Sequence, residues 1–210
     1  MPCGSGLFIT FEGGEGSGKS THVRILDDRL KVNGYDVEVT REPGGTPGAE
    51  DLRKLLVTGD PHRWSAPAEA LLNFAARDDH LRHMIRPALA EGKTVICDRF
   101  IDSTRAYQGY AGGCDLAMLD ALEAGIVGET RPDLTLILDV DPEEGLRRAD
   151  ERPDAGEDRY ERKGLEFHTQ LREAFHAIAR REPERCVVVN TSAPRDKVAD
   201  TIWRTVAARL

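Results

Sequence analysis

Short apolar runs alternate along the chain with longer stretches in which apolar residues recur every three or four positions. The first pattern is typical of buried β-strands and the second of amphipathic α-helices. The runs predicted as strands lie at residues 7–11, 35–40, 94–98, 134–140 and 186–189. Because these strands alternate with helices, the sequence predicts an α/β fold: a doubly wound, five-stranded parallel sheet flanked by helices. We expect a single domain over residues 1–210.

Two interruptions of the pattern carry further predictions. The alanine-rich helix predicted at residues 68–90 contains Pro87, which is expected to kink or shorten it because proline has no N–H to donate. Residues 147–162 are dominated by charge and contain Pro153 and Gly156. That composition is typical of a solvated, mobile loop.

The first predicted strand leads into G-G-E-G-S-G-K-S at residues 13–20, which fits the phosphate-loop pattern G-x-x-x-x-G-K-[ST]. Glycines allow backbone N–H groups and the positive end of the next helix to converge on phosphates. Lys19 adds a charge and Ser20 a hydroxyl for Mg²⁺. A chance glycine-rich turn is the alternative, but the flanking strand and helix argue against it. The residues predicted to bind a nucleoside triphosphate are Glu12, Gly13, Gly14, Glu15, Gly16, Ser17, Gly18, Lys19, Ser20 and Thr21.

Composition narrows the range of functions. A formal net charge of −8 argues against a nucleic-acid binder that works through a general basic surface. None of the cysteines at positions 3, 97, 114 and 186 forms a C-x-x-C pair, which favours buried reduced thiols over disulfides or a metal site. No leader pattern or run of ~20 apolar residues occurs. We therefore expect a cytoplasmic protein without nucleic-acid or membrane partners.

Polar segments that follow strand ends indicate where the chemistry lies. Residues 12–20, 41–43, 98–99 and 190–193 should share one crevice, because ligands bind beyond the carboxyl ends of parallel strands. A second group of cations, Arg77, Arg99 and the arginines of residues 147–159, suits a second phosphate-bearing substrate. Together with the absence of an N-K-x-D guanine signature, this favours phosphotransfer to a nucleotide over hydrolysis.

Four segments together resemble the thymidylate kinases, in their common bacterial form, and the resemblance extends from about residue 7 to the C-terminus. The segments are F-E-G-G-E-G-S-G-K-S-T (11–21), T-R-E-P-G-G-T (40–46), D-R-F-I-D-S-T-R-A-Y-Q-G (98–109) and R-P-D-L-T-L-I-L-D-V (131–140). The resemblance implies transfer of the ATP γ-phosphate to thymidine monophosphate, with Mg²⁺, by a homodimer. It also implies a P-loop kinase fold with a short arginine-rich lid at residues 147–162.

The resemblance assigns roles around the acceptor phosphate. Arg99 matches the arginine that grips this phosphate, and Asp98 is expected to act through Mg²⁺ or its waters. A structural ion pair at the strand end is the alternative for both. Glu15 matches an acidic position near the acceptor's sugar and phosphate. Arg53 is a weaker candidate for the phosphate, and residues 190–193 are expected to bind adenine through their backbone.

For the acceptor base, Arg77 matches a base-contacting arginine, and family members commonly place a stacking phenylalanine four residues earlier. Asn73 occupies that position here and Phe74 follows it. Either can share the helix face of Arg77, and an ordinary core residue is the alternative for Phe74. Tyr107 resembles the tyrosine under the deoxyribose, or is a buried structural residue. The remaining residues expected to line the pocket are Glu42, Pro43, Thr104 and Gln108.

The phosphate loop lacks the internal arginine of one branch of the family, so the resemblance places that cation in the lid. Arg148, Arg152 and Arg159 are the candidates, with Arg152 preferred, and a merely solvated loop is the alternative. Two other functions stay open at this point. One is a kinase for another nucleoside monophosphate or a deoxynucleoside, and the other is a nucleotide-dependent switch or assembly ATPase.

Overall fold

The computed structural model, which describes residues 6–151 and 159–210, contains one five-stranded parallel sheet. Its strands are β1 Phe8–Glu12, β2 Val37–Arg41, β3 Thr94–Asp98, β4 Leu134–Asp139 and β5 Cys186–Asn190. Their order is β2-β3-β1-β4-β5, so β1 lies at the centre, with Ile9 aligned to Ile96 on one side and to Leu134 on the other. The predicted fold class is confirmed.

Helices cover both faces of the sheet. They are α1 Lys19–Val32, α2 Pro47–Val57, α3 Ala66–His80, α4 Arg86–Ala90, α5 Ile101–Thr104, α6 Leu116–Ile126, α7 Pro142–Asp150, α8 Leu165–Arg181 and α9 Arg195–Ala207. Successive residues of a strand point to opposite faces. On the central strand β1, Phe8 accordingly packs with one apolar cluster and Ile9 with another. The central strand is thereby buried on both faces, and its carboxyl end opens at one edge.

The long helix predicted at residues 68–90 has a change of pitch within it. A π-helical turn, Leu81–Ile85, joins α3 to α4, and Pro87 lies in the first turn of α4. Because Pro87 has no N–H, the regular hydrogen-bond pattern cannot continue through it. The helix therefore changes pitch just before Pro87 but is not shortened by it, since α4 continues to Ala90.

The prediction of a loop over residues 147–162 is wrong for its first residues, which complete α7. The Asp141 side chain caps this helix by accepting from the N–H groups of Glu143 and Glu144. Arg147 and Arg148 then pair with Glu144 one turn earlier, at 2.8 Å each. A capped first turn followed by such pairs favours helix over loop, despite the high charge.

The described cysteines, Cys97, Cys114 and Cys186, are buried free thiols, as predicted. Cys3 lies outside the described residues. Within residues 6–151 and 159–210, no helix combines the length and apolar character needed to span a membrane.

Candidate active site

The phosphate loop lies between β1 and α1 and encloses the Lys19 ammonium. Lys19 Nζ donates to the carbonyl oxygens of Gly14 at 2.8 Å and Gly13 at 3.1 Å, so the loop itself orients the charge. Burial, followed by the charge of Arg99, lowers the pKa of Lys19 to about 8. Lys19 therefore presents a desolvated positive charge that an anionic ligand would stabilise.

The loop also packs directly against α7, at a position that requires glycine. Gly16 has φ of +64°, and a Cβ there would lie 1.9 Å from the Gly145 carbonyl oxygen. A side chain at position 16 would therefore push α7 away from the loop. Since α7 leads into the proposed lid, the phosphate loop and the start of the lid are held together by backbone contact.

A cavity of about 1000 Å³ begins at this loop and extends toward α9. Its phosphate end is formed by Gly16–Thr21, and Asp98 and Arg99 form a side wall. Thr191 and Ala193, predicted on the adenine side, line the cavity, together with Arg195. Ser20 Oγ donates to Asp98 Oδ2 at 2.8 Å, so the two residues predicted for Mg²⁺ are neighbours at the phosphate end.

Arg99 occupies the junction after β3 in a left-handed backbone conformation, with φ of 71°. Its guanidinium donates to Glu15 at 2.8 Å and to the Gly13 carbonyl oxygen at 3.0 Å, and it lies 5.0 Å from the centre of the Tyr107 ring. Burial opposes ionisation of Glu15, but Arg99, Lys19 and the Tyr107 hydroxyl together lower its pKa to about 2. Glu15 is thus a carboxylate that holds Arg99 beside the phosphate loop.

Glu12, predicted to bind the triphosphate, is fully buried and is not among the residues that line the cavity. It accepts from the Phe100 N–H at 2.8 Å and from the Ser103 hydroxyl at 2.5 Å. Burial and the charge of Asp102 raise its pKa to about 7. The prediction of direct contact is therefore corrected: Glu12 holds the turn that places Arg99. Gly13 and Gly14 likewise contribute carbonyl groups for Lys19 and do not line the large cavity.

A second, smaller cavity opens beside the first and collects the residues predicted for the acceptor. Those that line it are Glu15, Glu42, Pro43, Arg53, Asn73, Arg77, Arg99, Thr104, Tyr107 and Gln108. Leu56, Val57, Tyr160 and Glu161 also line this cavity, and sequence reasoning missed them. No local motif identifies these four residues, because they reach the cavity only through the packing of α2 and of the last residues of the proposed lid.

Arg77 lies on the floor of the second cavity with only 1% of its surface exposed. Its Nε donates to Glu42 at 2.8 Å, and one terminal nitrogen donates to Thr104 Oγ1 at 3.0 Å and to the Phe100 carbonyl oxygen at 3.1 Å. The other terminal nitrogen is buried and has no partner among the described residues. A buried donor without a partner is costly, so this geometry favours a ligand acceptor next to Arg77.

Phe74 does not line the second cavity, which corrects its assignment as a substrate-binding residue. Phe74 is 2% exposed and belongs to an apolar core cluster on one face of the sheet. The guanidinium carbon of Arg77 lies 4.7 Å from the centre of its ring. Asn73 lines the cavity instead, and its amide donates to the Glu69 carbonyl oxygen at 2.9 Å. One residue along a helix is a turn of ~100°, which is enough to move Phe74 into the core.

Substitutions at these two neighbours should therefore lower stability by different amounts. Phe74→Ala is expected to reduce the free energy of unfolding by ~3–5 kcal/mol, because it leaves a cavity in the core. Asn73→Ala should cost less than ~1 kcal/mol, since it removes one partly exposed hydrogen bond. Urea denaturation of both variants measures the difference. Equal stability of the two would contradict the placement of Phe74.

The predicted lid arginines have different surroundings. Arg148 lines the large cavity while donating to Glu144 at 2.8 Å. Arg159 is fully buried and donates to the carbonyl oxygens of Leu56, Asp60 and Pro61, so it anchors the loop after α2 and is wrong as a candidate for the transferred phosphate. Arg152, the preferred candidate, lies outside the described residues.

Comparison with known proteins gives one consistent result. A family model described as "Thymidylate kinase" matches residues 11–202. The chain is 56% identical to "Thymidylate kinase" from Caulobacter vibrioides, with 98% of each chain covered, and 54% identical to the protein of the same name from Jannaschia sp., with 97% of each covered. The crystal structure of thymidylate kinase from Ehrlichia chaffeensis is similar at a TM-score of 0.78 and 34% identity, covering 96% of this chain and 99% of that one.

Proposed function

Because the chain belongs to the thymidylate kinase family, we propose that it transfers the γ-phosphate of ATP to thymidine monophosphate, giving thymidine diphosphate and ADP. One observation carries this proposal beyond the family: the two cavities adjoin, and the residues that line both include Glu15 and Arg99. A triphosphate on the phosphate loop and a monophosphate in the second cavity would bring their reacting phosphates together there. This is the arrangement that phosphotransfer needs and that simple hydrolysis does not.

The chain's own residues supply alignment and charge. Lys19 and the loop N–H groups would hold the β- and γ-phosphates, and Arg99 would hold the acceptor phosphate, which is already anionic near neutral pH. No strong general base is required. Arg77, whose buried terminal nitrogen has no partner in the described part of the chain, would donate to the acceptor base. Among the described lid arginines, Arg148 is the candidate for contact with the transferred phosphate, because it lines the donor cavity.

The residues at the phosphate end fit Mg²⁺. The Ser20 hydroxyl and the Asp98 carboxylate offer the hard oxygen ligands that Mg²⁺ prefers, and few protein ligands are expected when phosphates and waters complete the shell. Consistent with this, residues 6–151 and 159–210 contain no cluster of three or more His, Cys, Asp or Glu suited to a metal. When bound, Mg²⁺ would neutralise phosphate charge.

The decisive experiment measures ADP formation from ATP and Mg²⁺ with a panel of nucleoside monophosphates and deoxynucleosides. Strong stimulation by thymidine monophosphate alone is expected. Stimulation by a different acceptor would favour a kinase for that compound, and hydrolysis that needs no acceptor would favour a nucleotide-dependent switch.

Tyr107 gives a sharper test of the acceptor pocket. Its ring packs edge to face with Tyr160, at 5.3 Å between ring centres, and its hydroxyl donates to Glu15 at 2.7 Å, so the ring is held rigidly at the cavity wall. We expect Tyr107→Ala to narrow the preference for deoxyribonucleotide over ribonucleotide acceptors, because room for a 2′-hydroxyl is created. Comparing kcat/KM for thymidine and ribothymidine monophosphates measures this. An unchanged ratio would mean that Tyr107 is only structural.

Three wider properties belong to the same proposal: a single domain over residues 1–210, a homodimer and a cytoplasmic location without nucleic-acid or membrane partners. Buried thiols at Cys97, Cys114 and Cys186 are compatible with a reducing compartment. Light scattering of the purified protein would test the dimer.

A further inference from the structure

A buried carboxylate, Glu69, lies behind the acceptor cavity and joins two separate parts of the chain. Only 2% of Glu69 is exposed. One of its oxygens accepts from Arg159 at 2.5 Å, and the other accepts from Gln108 Nε2 at 2.8 Å and from the Tyr160 hydroxyl at 3.1 Å. Gln108 and Tyr160 line the cavity, whereas Glu69 and Arg159 do not. Glu69 therefore contacts the wall of the cavity without reaching its interior.

The chemistry of these contacts fixes the orientation of one amide. An ion-paired carboxylate only accepts hydrogen bonds, so Gln108 must turn its NH₂ group toward Glu69. Burial and then the Glu69 charge raise the pKa of Tyr160, so its phenol keeps the proton that it donates to Glu69. The phenol oxygen lies 3.3 Å from Gln108 Nε2 and reinforces the same orientation.

The direction of the Gln108 carbonyl oxygen follows from the position of its NH₂ group. With Nε2 directed at Glu69 and Tyr160, the carbonyl oxygen of Gln108 faces away from them, and no described residue donates to it. A carbonyl in the cavity wall can accept from the N3–H of a thymine or uracil ring. It cannot accept from N3 of cytosine, which carries no proton.

We propose that Glu69 is a positioning residue for recognition of the acceptor base: it fixes the Gln108 amide so that a carbonyl oxygen is presented to the pocket. Its contacts with Arg159 and Tyr160 hold Glu69 in place. The inference rests on the proposed function, because it assumes a pyrimidine monophosphate in this cavity. Glu69 acts through Gln108 and contacts no substrate itself.

The test is the selectivity of binding in Glu69→Gln. A glutamine can donate or accept, so it no longer dictates which end of the Gln108 amide faces it. Calorimetric Kd values for thymidine monophosphate and deoxycytidine monophosphate give the readout. We expect the Kd for deoxycytidine monophosphate, divided by the Kd for thymidine monophosphate, to fall by at least ~10-fold. A site built to hydrogen-bond one base loses its discrimination when that bond is no longer enforced. The affinity for ATP should stay within ~2-fold.

Glu123→Gln is the matched control for loss of a buried carboxylate. Glu123 is 7% exposed and pairs with Arg105 and Arg131, away from both cavities. It should leave the Kd ratio unchanged. If Glu69→Gln does not fold, Glu69→Asp is measured in its place, because it keeps the charge for Arg159 but withdraws the carboxylate from Gln108.

The outcomes separate the inference from the proposed function. A folded Glu69 variant that weakens both monophosphates by the same factor, or neither, would overturn the positioning role. Wild-type protein that neither binds nor phosphorylates thymidine monophosphate would instead defeat the proposed function. A lower ratio of the deoxycytidine monophosphate Kd to the thymidine monophosphate Kd in the Glu69 variant, with that ratio unchanged in Glu123→Gln, supports the inference.

Discussion

Replacement of Lys19 by alanine is expected to lower kcat/KM for ATP by at least ~10²-fold. The Lys19 ammonium is enclosed by the loop carbonyls of Gly13 and Gly14, so it is already oriented before a phosphate arrives. Preorganised charges of this kind, in a site that excludes water, supply large shares of transition-state stabilisation. Steady-state kinetics with varied ATP and saturating acceptor measure the loss.

Lys19→Ala should leave stability nearly unchanged, which separates a catalytic loss from unfolding. Burial lowers the pKa of Lys19, so holding its charge at neutral pH costs folding free energy, and removing it should not lower the melting temperature. Lys31→Ala is the matched control, because Lys31 is an exposed lysine on the same helix that pairs with Asp27. Near-normal activity of Lys19→Ala would contradict the assignment of the phosphate loop.

Arg99→Ala should reduce turnover by at least ~10²-fold and weaken the acceptor. Arg99 is one of the residues common to both cavities, and its guanidinium is held by Glu15 and by the Gly13 carbonyl oxygen at the point where they meet. Without it, two phosphates would face each other with one major neutralising group removed. Near-normal kcat would show that the Arg99–Glu15 pair only stabilises the strand end.

Two further substitutions at position 99 refine this result. Arg99→Lys keeps the charge but cannot donate to Glu15, Gly13 and a phosphate with the same fixed fork, so we expect partial activity at best. Arg99→Gly should be as inactive as Arg99→Ala but more stable. The reason is the left-handed backbone at this residue, with φ of 71°, which glycine adopts without strain. Thermal unfolding of the two variants tests this difference.

Local patterns were sufficient for the parts of the site that are contiguous in sequence. The run G-G-E-G-S-G-K-S combines a turn, a helix start and a lysine within eight residues, and its geometry follows from that local chemistry. Asp98 and Arg99 were also identifiable, because polar residues directly after a buried strand lie at the carboxyl edge of a parallel sheet. Helical spacing brought Asn73 and Phe74 equally close to Arg77, but it could not choose between them.

The placement of the other side chains of the site depends on packing. Phe74 faces the core and Asn73 the cavity because α3 lies with one particular face on the sheet, a rotation that depends on every element it contacts. Glu12 and Arg159 were predicted from the sequence as phosphate ligands. Each is instead buried and hydrogen-bonded to residues that lie 88 to 103 positions away in the chain. Glu69 carried no sequence signal, since its role exists only where Gln108 and Tyr160 converge on it.

The sequence by itself determined a parallel α/β sheet, a phosphate loop and, through its resemblance to a family, a two-substrate nucleotide kinase. These features depend on periodicity and on short runs in which neighbours in the chain act together. Only the tertiary structure decided which side chains enter the acceptor cavity, which cations are available to phosphate and which serve as anchors. Those outcomes are set by burial and by hydrogen bonds between distant segments, which are fixed only when the helices dock on the sheet.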